Sequence, residues 1–163
     1  MHKYWLWTDR MNWISKKHKF KGCLFCRIIK GDKKIPSKVL HKGGDVMVMM
    51  NLFPYNTGHL QVIPIRHVVS LDELTDAECD RLFGMVRKCV KLIKKALNPL
   101  GFNIGMNIGD VSGASIDHLH VHIVPRYKTD FGFMEIIAET KTMPETVEKT
   151  YKKLMKHSKI LEK

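Results

Sequence analysis

Between Asp117 and Arg126 the chain reads DHLHVHIVPR, with imidazoles at 118, 120 and 122 and aliphatic side chains at 119, 121 and 123. Strand side chains alternate between faces. The spacing therefore predicts His118, His120 and His122 on one face, about 6.5–7 Å apart, and Leu119, Val121 and Ile123 on the other, in a core. Three histidines in register on one sheet face waste burial unless imidazole chemistry is wanted there. Two chemistries fit. Either the imidazoles hold a metal ion, as His-x-His pairs on strands do, or one is a nucleophile whose neighbours set its tautomer and charge. The spacing does not decide between them.

The flanking sequence supplies a sheet for this strand. SKVLHKGGDVMVMMN reads as strand, Gly-Gly turn, strand, and HLQVIPI as a third strand after the loop NLFPYNTGH. In GFNIGMNIG, Phe102, Ile104, Met106 and Ile108 alternate with Asn103, Gly105 and Asn107, which predicts a strand with one apolar and one polar face. The helical spacing of apolar residues at 79, 82, 83, 86, 90, 93 and 97 predicts a long helix, with Thr75 and Glu78 as its capping box and Pro99 past its end. Thr142 with Glu145 predicts the start of a second helix, whose apolar face is Val147, Tyr151, Leu154 and Met155. About five strands and two main helices make an α+β fold around an antiparallel sheet. Residues 1–22 form an aromatic and basic arm whose tryptophans pack on the domain. Residues 23–141 form the main domain, and 142–163 the C-terminal helix.

The length of 163 residues fits one domain, and an apolar share of 44% suffices for a core. No apolar run reaches membrane-spanning length and the amino terminus lacks a secretory apolar stretch, so the sequence reads as cytoplasmic with no membrane partner. A net charge of +12 points to an anionic partner or to a lysine-rich solvated surface. The basic residues show no arginine–aromatic stripe of the single-strand-binding kind, which argues against nucleic acid. Cys23 and Cys26 in CLFC read as a metal or redox site, and Cys79 and Cys89 as small core residues of the long helix.

HLHVHIV resembles the His-φ-His-φ-His-φ-φ signature of the histidine triad superfamily of nucleotide hydrolases and transferases. The resemblance extends over residues 23–126, through CLFCRIIKGDKKIPSKVLHKGGDVMVMMN and GHLQVIPIRHV. LWTDRMNWI, MNLFPYNTGHLQVIP, GFNIGMNIG and FMEIIAETKTMPET look most like the diadenosine tetraphosphate phosphorylase (ATP adenylyltransferase) branch. The fragile-histidine-triad hydrolases come second and the nucleoside phosphoramidases third.

The resemblance implies a histidine triad fold and a site. His120 matches the nucleophile that attacks the α-phosphorus and carries the nucleotide, and His122 and His59 match the histidines on the phosphate side. Gly113 and Ser115 match the phosphate loop, Asn107 a polar residue beside it, and Asn51 the ribose-binding position. His118 borders the substrate, and Tyr127 stands where some relatives carry an aromatic wall. Cys23, Cys26, His67 and His118 match a structural zinc site; no organic cofactor is implied. The implied partners are adenine nucleotides, dinucleoside polyphosphates, phosphate and a second copy in a homodimer. Ala114 and Ser115 stand where the hydrolases carry glutamine, which favours phosphate over water as acceptor. Two other readings are a DNA-end-processing protein, for which the tail TYKKLMKHSKILEK lacks the usual Cys/His module, and a non-catalytic metal-binding protein.

Overall fold

The computed structural model describes residues 21–128, 130, 132–137 and 142–162. The expected aromatic arm therefore lies outside the described residues, apart from Lys21 and Gly22. Five antiparallel strands, β1 (Val39–Gly43), β2 (Val46–Met50), β3 (Leu60–Pro64), β4 (Gly101–Gly105) and β5 (Val121–Arg126), form one sheet in the order β1-β2-β3-β5-β4. Gly44, at φ +57°, makes the turn between β1 and β2, a conformation that costs a side-chain-bearing residue more than glycine.

Both faces of the central strands are covered, which is why VMVMM and LQVIP are buried at every position. On one face lies the long helix α2 (Asp76–Leu97), whose Leu82, Val86, Cys89, Leu92 and Ile93 meet Val48, Leu60, Val62, Leu119, Val121 and Ile123. On the other lies the short helix α1 (Leu24–Ile29), whose Phe25, Ile28 and Ile29 meet Met47, Met49 and Ile63. The α2 boundaries follow the sequence signals. Thr75 Oγ1 accepts the Glu78 N–H at 3.3 Å, the Glu78 carboxylate accepts the Thr75 N–H at 2.9 Å, and Asn98 ends the helix in the left-handed region.

Several expectations need correction. Phe83 is 43% exposed, and α2 buries Met85 and Leu92 instead; Cys79 is only half-buried. β4 is an edge strand, so Phe102 and Met106 pack on the core while Ile104 and Ile108 stay exposed. The last helix, α4 (Val147–Met155), is capped by Thr146, not started by Thr142. Thr142 instead donates to Glu135, in the short helix α3 (Phe133–Ile137). Glu145 accepts from Thr150 and pairs with Lys153. Leu154 fills the core, and Met155 is exposed. Among the described residues no helix is long and apolar enough to cross a membrane.

Candidate active site and metal centre

The β5 ladder begins at Val121, so His118 and His120 precede the strand rather than belonging to it. The alternation of faces holds nonetheless. Leu119, Val121 and Ile123 are at most 1% exposed in the α2 core, whereas His118 and His120 turn to the α1 side and touch Phe25 edge-on. Residues 118–120 are held by other bonds. The His118 N–H donates to the Ile116 carbonyl at 2.9 Å and the Leu119 N–H to the Val68 carbonyl at 2.7 Å. His122, within the ladder, stands between Gln61 of β3 and Gly105 of β4.

Hydrogen bonds set the tautomer of each ring. His120 Nδ1 lies 2.8 Å from the His118 carbonyl, which only accepts, so Nδ1 carries the proton and Nε2 keeps its lone pair. The Tyr55 N–H donates to His59 Nδ1 at 3.1 Å, so His59 Nε2 carries the proton and donates it to His122 Nδ1 at 2.9 Å. In neutral His122 the remaining nitrogen, Nε2, is then an N–H donor. Burial lowers the pKa of His118 and of His120, and burial with His122 and His120 nearby takes His59 down to about 3. His120 and His59 are therefore neutral near pH 7, the form in which an imidazole is a nucleophile.

His120 and His122 edge a cavity of about 330 Å³ between α1 and the sheet. One part is apolar, walled by Leu24, Phe25, Ile28, Ile35, Met49 and Phe53; the other presents His120, His122, Asn107, Gly113 and Ser115, with Asn51 and Tyr55 alongside. Asn107 Nδ2 donates to the Gly113 carbonyl at 3.5 Å, tying the end of β4 to the 110–115 loop. Asn51 Oδ1 accepts the Phe53 N–H at 2.9 Å.

The fold thus brings His120, His122, Asn51, Asn107, Gly113 and Ser115 to one cavity. Three other candidates lie elsewhere. His59 is fully buried behind His122 and does not line the cavity. His118 turns away from the cavity to the cysteines. Tyr127 donates its hydroxyl to the Thr57 carbonyl and is likewise absent from the wall, because the residues after β5 run back toward Thr57. The aromatic rings at the site are Phe25, Phe53 and Tyr55, the last with its ring 5.9 Å from His122. Phe25 is the third residue of CLFC and Tyr55 sits in an irregular loop, so neither carries a periodic signal.

Cys23, Cys26, His67 and His118 converge, with one ligand atom from each inside 4.8 Å of all the others. His118 Nδ1 is 3.3 Å from Cys23 Sγ, 3.6 Å from Cys26 Sγ and 3.3 Å from His67 Nδ1, and Cys26 Sγ is 3.4 Å from His67 Nδ1. In a zinc tetrahedron with Zn–S about 2.3 Å and Zn–N about 2.0–2.1 Å, the S···N and N···N edges are about 3.5 and 3.3 Å. The four residues therefore fit a Cys₂His₂ ion. His118 Nε2 donates to the Pro64 carbonyl at 2.8 Å, which fixes the ring and leaves Nδ1 as the ligating nitrogen.

Residues 32–129 match the HIT domain family. An AP-4-A phosphorylase of Mycobacterium tuberculosis is 42% identical over 113 residues, covering 69% of this chain and 58% of that protein. This chain therefore spans less than two thirds of that relative. An adenosine 5'-monophosphoramidase of Schizosaccharomyces pombe is 33% identical over 111 residues, covering 68% of this chain and 79% of that protein. Among solved structures, a Zn-bound histidine triad family protein from Mycobacterium smegmatis superposes with a TM-score of 0.68 at 25% identity, covering 86% of this chain and 96% of that one.

Proposed function

This chain belongs to the HIT domain family, and from that premise we propose that it cleaves dinucleoside polyphosphates by nucleotidyl transfer, converting diadenosine tetraphosphate and phosphate to ATP and ADP. The observation that carries the proposal is the 2.8 Å bond from His120 Nδ1 to the His118 carbonyl, which leaves Nε2 as a bare lone pair at the cavity. His120 Nε2 attacks the α-phosphorus, a P–N bond forms, and the bridging P–O bond breaks to release ATP. The positive charge that develops on the ring is held by the Nδ1–H bond to the His118 carbonyl. Inorganic phosphate then attacks the adenylyl-histidine, the P–N bond breaks, ADP leaves, and His120 returns neutral. The two-step route replaces one hard displacement with two easier ones.

The remaining residues bind and orient. His122 Nε2–H serves the phosphoryl oxygens or the leaving oxygen. His59, which the sequence suggested at the phosphate, works from behind by fixing His122. Gly113 and Ser115 cradle phosphate, Asn51 takes the ribose, and the apolar wall of Phe25, Ile28, Ile35 and Phe53 takes the base. Cys23, Cys26, His67 and His118 hold a zinc ion, which supplies a cross-link between α1 and the triad segment. The edge strand β4 with its exposed Ile104, and the exposed Ile108 just beyond it, support a homodimer.

Phosphate is preferred over water because Ala114 and Ser115 stand where the hydrolases carry glutamine and the segments LWTDRMNWI and NLFPYNTGH resemble the phosphorylase branch. A tenfold preference needs only about 1.4 kcal/mol. The similarity to a monophosphoramidase favours one second reading, in which the same His120 chemistry acts on a nucleoside phosphoramidate. Chromatography of diadenosine tetraphosphate reactions with and without phosphate tests the choice. ATP and ADP in phosphate, formed about ten times faster than AMP and ATP without it, is the expected result; AMP and ATP at a rate indifferent to phosphate replaces the phosphorylase with a hydrolase.

A further inference from the structure

His120 is not held by the sheet. The ladder with β3 starts at Val121, paired with Val62, and the ladder with β4 reaches only His122, paired with Gly105. What fixes the nucleophile is His118. Its carbonyl takes the His120 Nδ1 proton, and its own ring is held on one side by the Pro64 carbonyl and on the other by the Cys23, Cys26 and His67 ligand atoms. The second support is Phe25. It lies between the two cysteines in the sequence, is 1% exposed, and presses edge-on against His118 at 5.8 Å and His120 at 5.2 Å between ring centroids. The third is the Val68 carbonyl, one residue from His67, which accepts the Leu119 N–H. Every bond that orients the His120 ring from the N-terminal side therefore passes through one of the four ligands or its immediate neighbour.

We propose that the Cys23–Cys26–His67–His118 cluster positions the nucleophile, so that metal occupancy sets the turnover number of the enzyme and not only its stability. His118 is a positioning residue in this account. It sets the tautomer and direction of His120 through its main chain, and ligation of Nδ1 gives its ring a second hold beside the Nε2–H bond to the Pro64 carbonyl. With the ligands apart, α1 loses its tether at Cys23 and Cys26 and keeps only its apolar packing, the hold of Phe25 on the two rings loosens, and residues 118–120 keep their main-chain bonds and the single side-chain bond from His118 to Pro64. Cys23, His67 and three α1 residues also line the cavity, but the base-binding wall keeps Ile35, Met49 and Phe53 from outside α1, and the phosphate loop 110–115 contains none of the ligands. Nucleotide affinity therefore changes far less than turnover.

The inference rests on the zinc and transferase readings above, and its test separates the three. Protein purified without chelator is assayed for metal content, then compared with chelated protein, with chelated protein reloaded with zinc or cobalt, and with Cys26→Ala, a ligand that does not line the cavity. Four quantities are read: far-ultraviolet circular dichroism, the Kd for AMP, kcat, and the ¹⁵N shifts of the His120 ring. The expected result is an unchanged dichroism spectrum and a Kd within about threefold, with kcat lower by about 10- to 100-fold, the range found when supports of a metal site are removed. The His120 ring passes from one Nδ1–H tautomer to a mixture, and reloading restores both kcat and tautomer. Folded metal-free protein with kcat within about threefold of the loaded form overturns the proposal. So does a loss of kcat that tracks loss of dichroism, since the ion is then a fold cross-link only. Should Cys26→Ala not fold, chelation and reloading of the wild type give the same comparison. Absence of metal from the purified protein removes the zinc reading and this inference together. Loaded protein that turns over no dinucleoside polyphosphate removes the transferase reading, while the tautomer measurement still decides the positioning role.

Discussion

His59 Nε2 donates its proton to His122 Nδ1 across 2.9 Å, and that bond leaves Nε2 as the donor nitrogen of His122. The bond has one direction because the Tyr55 N–H already occupies the other nitrogen of His59. A ring with no exposed surface thus acts on the cavity through its neighbour. Substituting His59 by Leu removes the donor to His122 and the acceptor for Tyr55, and is expected to lower kcat by about a hundredfold. A substrate Kd that stays near the wild-type value would accompany that loss, since His59 itself does not line the cavity; steady-state kinetics with equilibrium binding checks both.

The same residue makes stability depend on pH. Its ordinary pKa of 6.5 falls to about 3, chiefly through burial, so below pH 6.5 the unfolded chain takes up a proton that the folded chain refuses until about pH 3. The contribution is fully present above pH 6.5 and is lost as the pH falls toward 3, at up to about 1.4 kcal/mol per pH unit from this group. Urea unfolding at pH 7.5 and pH 5 should show a larger drop for the wild type than for His59→Gln. The His59 ring resonance should stay flat down to pH 4; a midpoint near 6 would remove the account of its burial.

Purified protein is expected to carry about one zinc per chain, because four donor atoms lie within 4.8 Å of one another and the three His118 separations and Cys26–His67 match tetrahedral edges. Elemental analysis after growth with zinc and without chelator measures this directly. Chelation should lower the thermal midpoint by about 2–4 °C for each kcal/mol of binding lost.

Gly58 connects packing to the triad. Its φ is +86°, and a Cβ there would stand 2.5 Å from Leu97 Cδ1 and 3.3 Å from Pro125 Cγ, one residue before His59. Gly58→Ala is expected to cost about 2–4 kcal/mol, combining a left-handed backbone with overpacking. Leu97→Ala in the same chain should recover the overpacking part, so a double-mutant cycle by urea unfolding shows a coupling between the two sites.

Much of this was legible in the sequence wherever a period ran uninterrupted. The β1–β2 hairpin and β3 follow from apolar runs and the Gly-Gly turn, and the capped α2 and the placing of Leu119, Val121 and Ile123 in the core from capping and periodicity. The pattern was less informative where neighbours decide the outcome. Ile104 and Ile108 fit one apolar alternation, yet the edge position of β4 leaves Ile104 exposed and Ile108 lies beyond the end of the strand, exposed as well. Phe83 fits the helical spacing of α2 but falls outside the arc that meets the sheet. Thr142 and Glu145 have the capping-box spacing, but both side chains bond elsewhere and Thr146 caps α4. At the site, the motif positions pointed to the three histidines and to the four Cys and His side chains that the fold brings together. The loop residue Tyr55 was not, since its role depends on how the 51–59 loop folds over His59. The burial of His59, the turning of His118 from the cavity and the distance of Tyr127 from it are all consequences of packing that no spacing encodes.

The central claim is that His120 carries the nucleotide. Rapid mixing with dinucleoside polyphosphate labelled in the α-phosphate, without added phosphate, followed by a quench in base and peptide mapping, tests it most directly. Label should appear on the peptide containing His120, bound through a base-stable, acid-labile P–N bond, and should be chased into ADP by phosphate. In His120→Ala, with circular dichroism unchanged, label should be absent and kcat lower by about a thousandfold or more. Label on any other residue, or a His120→Ala variant that keeps about a tenth of wild-type turnover, would contradict it.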